Sequence, residues 1–163
     1  MITTRYNIIS IFTLLLVFGC FQSSSEDDVW YSLEDAQKKV ADNNKKVMLN
    51  FYIEGNEESK KFHNEVFPDE TVTQKMEKYF CSVQIDANST DSLTFNGLPS
   101  TEKDIAEMLG VTSYPTTIFL DNSGEKIIIS SGYMKAKIFA MVLSYIGSDA
   151  YLTTEYDQYV NQQ

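Results

Sequence analysis

Residues 47–52, Val-Met-Leu-Asn-Phe-Tyr, form a short apolar run interrupted only by Asn50. A run of this length and continuity predicts a strand covered on both faces. Before it, Leu33, Ala36, Val40 and Ala41 recur at helical spacing behind Ser32, a helix-capping residue followed by Glu34 and Asp35; Asp42-Asn43-Asn44 ends that helix. After it, a second helix begins at Asn56 or Glu57, with Phe62 and Val66 as its apolar stripe and Ser59 on the same side, and Pro68 breaks the chain. A further helical piece points Val72, Met76 and Tyr79 inward. In residues 80–86, Cys81, Val83 and Ile85 alternate with polar positions, predicting a strand with these three facing the core.

Residues 87–99 read as a long polar loop. Ser100 or Thr101 then caps a helix containing Ile105, Ala106, Met108 and Leu109, and Gly110 terminates it. Residues 116–120 predict a strand, Asp121-Asn122-Ser123-Gly124 a turn, and residues 126–130 its hairpin partner. Gly132-Tyr133 marks a bend before a helix over 135–146, with Ile138, Phe139, Val142 and Leu143 inward. Residues 151–160 predict a last short helix carrying Leu152, Tyr156 and Val160. Alternating helices and strands that close on a hairpin imply an α/β fold, a mixed sheet with helices on both faces.

The N-terminal pattern is different. Arg5 precedes an apolar core, residues 8–18, which stops at Gly19-Cys20. The run is short of the roughly 20 residues that span a bilayer and has the size of a signal-peptide core. Val17-Phe18-Gly19-Cys20 resembles a bacterial lipobox, although Phe18 is bulkier than usual at its position. The favoured expectation is a lipoprotein signal over 1–19, lipidation of Cys20, and a polar tether over 20–29; an ordinary signal peptide and an uncleaved anchor are the alternatives. The folded domain is expected over 30–147, with 148–163 as an extension.

Composition narrows the chemistry. Of 163 residues, 43% are hydrophobic, which suits one domain with a substantial core. The formal net charge is −10; without Arg5, the only arginine, 12 basic residues face 23 acidic ones and the charge is −11. No basic stripe exists to neutralise phosphates, so no nucleic-acid partner is expected. Two cysteines and one histidine fall short of the about four ligands of a structural zinc site, and no metal or other cofactor is expected. If Cys20 carries lipid, Cys81 is the single free thiol.

The residues now point to a family. The run 47–52, a turn and the Lys60-Lys61 helix resemble thioredoxin, as do Gly110-Val111, Tyr114-Pro115-Thr116, and a strand ending Leu120-Asp121 with Gly124 behind. Lys60, Lys61, Phe62, then Glu65-Val66-Phe67, and Gly132-Tyr133 before the last long helix, are similar to the thioredoxin-related branch of bacterial envelopes. The resemblance implies a thioredoxin-like fold, with a central mixed sheet of about four strands flanked by helices. It also implies a cis peptide before Pro115 beside the turn at 56–59, and a groove where the backbone of Tyr114 pairs with an extended peptide.

It also implies disulfide chemistry by a Cys-x-x-Cys pair at the start of the second helix, and here the chain departs. Asn56 and Ser59 hold those two positions, Glu57 and Glu58 lie between them, and Asn50 replaces the buried Asp that serves protons in thioredoxin. Neither Asn56 nor Ser59 can form a disulfide, and nothing nearby would deprotonate the Ser59 hydroxyl. Cys81, at a core-facing strand position, is expected to be inert, and His63 to be an exposed helix residue. No catalytic residue is therefore assigned. The candidate binding surface is Gly55, Asn56, Glu57, Glu58, Ser59, Tyr114 and Pro115, for an envelope protein or peptide, with the membrane reached through lipid on Cys20. The rival expectations are a thiol oxidoreductase or redox-complex accessory using Cys81, and a purely structural envelope subunit that does not use the groove.

Overall fold

The computed structural model describes residues 29–162; the expected signal, the lipidation site Cys20 and most of the tether lie outside them. The chain runs α1 (Leu33–Asn43), β1 (Lys46–Tyr52), α2 (Glu57–Glu65), α3 (Glu70–Tyr79), β2 (Phe80–Asp86), β3 (Ser92–Phe95), β4 (Leu98–Thr101), α4 (Glu102–Met108), β5 (Thr116–Leu120), β6 (Lys126–Ser131), α5 (Ala136–Gly147), a 3-10 turn (Ala150–Leu152) and α6 (Tyr156–Val160). The main sheet has the order β2-β1-β5-β6. β1 pairs parallel with β2 and antiparallel with β5, and β6 closes the antiparallel side. This is an α/β thioredoxin-like architecture.

The two faces of β1 feed two cores. Val47, Leu49 and Phe51 point into one, with Leu33, Ala36 and Val40 of α1, Cys81, Val83 and Ile85 of β2, and Ile105 and Ala106 of α4. Met48 points into the other, with Phe62 of α2, Val72 and Met76 of α3, and Phe139, Leu143 and Ile146 of α5. Every residue of β1 except Tyr52 is buried, which is why its sequence is a continuous apolar run rather than an alternation. The β2 edge of the sheet is closed by the chain itself, Tyr31 N donating to Ser82 O at 2.8 Å.

Local chemistry sets the helix ends. Ser32 Oγ accepts from Asp35 N, Asp69 Oδ1 from Thr71 N and Val72 N, and Thr101 forms a reciprocal capping box with Asp104.

Three expectations are corrected. The polar loop at 87–99 contains strand β3 and runs into β4, a separate hairpin turning at Asn96-Gly97, where φ is 50° and 78°. Its Leu93 and Phe95 pack on the α1-side core, and Glu34 Oε1 and Gln37 Oε1 accept from Thr94 N and Asn96 N. The expected helix over 151–160 is instead the 3-10 turn and the five-residue α6, with Leu152 67% exposed. Ile138, expected inward on α5, is 46% exposed, because the face toward the core is set by Phe139, Leu143 and Ile146.

Candidate functional site

The site is built where β1 ends and α2 begins. Tyr52 closes β1, the chain turns through Gly55 at φ +83°, and Asn56 caps α2, its Oδ1 accepting from Ser59 N at 2.8 Å. Gly55 is needed here because that φ strains any residue with a Cβ. Glu57 and Glu58 occupy the exposed first turn, a favourable place for negative charge at a helix N-terminus. Ser59 is buried, and its Oγ has no hydrogen-bond partner.

We expect Asn56→Ala to cost about 1 kcal/mol through loss of the cap, with Asn56→Ser retaining most of it. Urea denaturation midpoints of the two variants would check this.

Beneath the turn, a row of polar side chains crosses the α2-covered face of the sheet. Gln84 of β2, Asn50 of β1 and Thr117 of β5 are register neighbours. Asn50 is 2% exposed and its Nδ2 donates to Thr117 Oγ1 at 3.1 Å. Gln84 Nε2 donates to His63 Nδ1 at 3.1 Å, from β2 to α2. A cleft of about 450 Å³ opens over this row, lined by Asn50, Tyr52, Glu54, Ser59, His63 and Gln84 among others.

The structure brings part of the predicted surface together. Gly55, Asn56 and Ser59 line the cleft; Glu57, Glu58, Tyr114 and Pro115 do not. Tyr114 is joined to Pro115 by a cis peptide, and Pro115 O accepts from Gly132 N at 2.7 Å. Tyr114 has no backbone hydrogen bond among the described residues, which leaves its amide and carbonyl unpaired there. The Asp86 carboxylate acts electrostatically on both Tyr52, which lines the cleft, and Tyr114. Burial, and then the carboxylates of Asp86, Glu102 and Glu54, hold the Tyr52 phenol above its ordinary pKa. Burial, Glu107 and Asp86 do the same to Tyr114, and burial raises the Glu102 carboxyl against the hydrogen bonds from Ser89 and the Asp86 amide, which lower it. The face is thus acidic as well as aromatic.

Tyr52, Glu54, His63 and Gln84 were not in the sequence-predicted set. The signal for Gln84 was present, as a polar residue on the alternating strand β2, but its neighbour across the sheet required the β1–β2 register. His63 is exposed, as expected, although tied to Gln84.

Cys81 lies elsewhere. It is fully buried in the α1-side core, with Asn43 Nδ2 at 3.8 Å from its Sγ. It pairs with Val47, at the opposite end of β1 from Tyr52. Asp86 stands at the far end of β2 from it, about 16 Å along the strand. Among the described residues no group of acidic, histidine and cysteine side chains could hold a metal ion, and no helix is long and apolar enough to cross a membrane.

A model of the thioredoxin-like domain matches residues 33–147. Among solved structures, the chain is similar to a thioredoxin-fold protein from Helicobacter pylori, at 18% identity over 85% of this chain and 89% of that one, with a TM-score of 0.69. It is similar to the DsbH oxidoreductase at 12% identity, over 73% and 83% of the two chains, with a TM-score of 0.59. A thioredoxin from Thermus thermophilus aligns at 20% identity over 72% and 85%, with a TM-score of 0.58. No curated protein sequence matches the chain significantly.

Proposed function

The chain belongs to the thioredoxin-like domain family, and from that premise we propose that it is a lipid-anchored envelope protein that uses the family groove to bind rather than to exchange disulfides. The observation that carries the reading is the pair at the α2 turn. Asn56 spends its side chain capping the helix and Ser59 is buried without a partner, so both positions that hold thiols in a redox thioredoxin serve other ends. Thiol–disulfide exchange needs an accessible thiolate as attacking group, and Cys81 is fully buried on the other face of the sheet. The unpaired backbone of Tyr114, in the field of the Asp86 and Glu107 carboxylates, is the surface offered to an extended segment of an envelope protein.

The anchor is proposed from the sequence alone. The apolar run ending at Gly19-Cys20 would place the domain at a bacterial envelope membrane behind a short polar tether. Metabolic labelling with a palmitate analogue should mark the native chain and not Cys20→Ser; labelling that survives the substitution would rule out the anchor.

The groove is tested by recovering envelope proteins with the tethered chain and with Tyr114→Ala. Specific recovery that falls with Tyr114→Ala is expected. Recovery unchanged by it favours the purely structural subunit.

A further inference from the structure

The cleft under the α2 turn is polar, but its polar atoms are not equivalent. Asn50 uses Nδ2 on Thr117, and Gln84 uses Nε2 on His63. Both amide carbonyl oxygens are left without a hydrogen bond among the described residues. Ser59 Oγ is also unpartnered, on a residue only 6% exposed. The Ser59 amide at the helix N-terminus is already satisfied by Asn56, and Glu57 and Glu58 put negative charge on the same turn, which disfavours an anion there. What remains in the cleft is a set of acceptors, with the Glu54 carboxylate beside them. Lys60 and His63 stand at its exposed rim. Outside the cleft, Asp86 and Glu102 face Tyr52, and neither these two nor Glu54 forms an ion pair among the described residues.

Of these three oxygens only Ser59 Oγ is both buried and unpartnered; those of Asn50 and Gln84 are not, and the group that engages several acceptors at once is one with many donors and no acceptor. A guanidinium presents five N–H groups in a planar fork and carries the charge that Glu54 and the surrounding carboxylates call for.

We propose that the cleft between α2, β1 and β2 receives the guanidinium of an arginine side chain, donated to Asn50 Oδ1, Gln84 Oε1 and Ser59 Oγ. The inference rests on the groove reading in that the arginine would belong to the extended segment lying across Tyr114; the cleft would select for it as the Tyr114 backbone, which reads only main chain, cannot. A lysine would place one compact ammonium with three donors in the same space and satisfy the fork of acceptors less completely.

The test titrates the isotope-labelled full chain in detergent with Nα-acetyl-arginine methylamide and, separately, with the neutral citrulline analogue. The arginine compound should shift the Asn50, Ser59 and Gln84 signals saturably, with an apparent affinity at least about tenfold above citrulline, the size of one charge-assisted hydrogen bond. Ser59→Ala and Asn50→Leu should each lower that ratio; Ser59→Ala removes only one oxygen and keeps the test decisive if Asn50→Leu fails to fold. Equal responses to the two compounds, or shifts confined to other residues, would overturn the arginine cleft. The cleft and the groove fail separately: partner recovery lost in Tyr114→Ala with no arginine response leaves the groove and removes the cleft, and an arginine response with unchanged recovery does the reverse.

Discussion

Phe62→Ala is expected to destabilise the chain by about 3–5 kcal/mol, enough to threaten folding altogether. Phe62 is the one aromatic of α2 apart from His63, 2% exposed, and it holds the helix against the sheet. Its ring meets Phe67 and Phe139 edge-on at 5.0 Å each and Tyr133 at 6.2 Å. Truncation removes a large buried ring and the edge-to-face contacts, and leaves a cavity that three fixed rings cannot fill. Phe62→Leu keeps much of the volume and should lose roughly half as much. Equilibrium urea unfolding is the measurement. A loss under about 1 kcal/mol for Phe62→Ala would mean that α2, and with it the Asn56–Ser59 turn, is held by something other than this cluster.

Gly147→Ala is expected to destabilise, against the usual rule. Within a helix, exchanging glycine for alanine ordinarily gains about 1 kcal/mol. Gly147 ends α5, and a Cβ there would lie 2.6 Å from Tyr79 Cβ and would overlap Tyr79 Cγ. Those atoms are the root of the side chain, which cannot swing aside without moving α3. We expect a net loss of about 1–3 kcal/mol, the scale of overpacking. Tyr79→Ala removes the overlap with Cγ but keeps the Cβ contact, so adding Gly147→Ala in that background should cost less than it does in the native chain. A double-mutant cycle reads this coupling, and additive losses would refute the contact.

The fold was legible where one element had one dominant pattern. β1 could be read from its unbroken apolar run because both of its faces are covered, and α1 from Ser32 and its spaced apolar residues. The β3–β4 hairpin was missed although Asn96-Gly97 between Leu93, Phe95 and Leu98 is a strong hairpin signal. The surrounding serines, threonines and Pro99 made the stretch look like loop, and its stability comes from α1, through Glu34 and Gln37, which no local pattern reveals. Ile138 was misplaced for a related reason: α5 is apolar nearly all round, so its sequence does not say which stripe faces inward.

The site was half legible. Asn56 and Ser59 were found because the resemblance fixes where a redox pair would stand. The polar row beneath them depends on long-range register, Asn50 against both Gln84 and Thr117, and on α2 carrying His63 over β2. Asn50 was visible as a polar residue in an apolar strand, but not the partner that its amide would find. The cleft is therefore a property of the assembled sheet, whereas the loss of the cysteine pair is a property of the sequence.

Above all, this thioredoxin-like chain is expected to do no disulfide chemistry. The purified full chain, assayed for reduction of insulin disulfides with a dithiol reductant as electron source, should give a rate equal to that of the reductant alone, and Cys81→Ser should not change it. Turnover above that background which disappears in Cys81→Ser would contradict this and establish Cys81 as a working thiol.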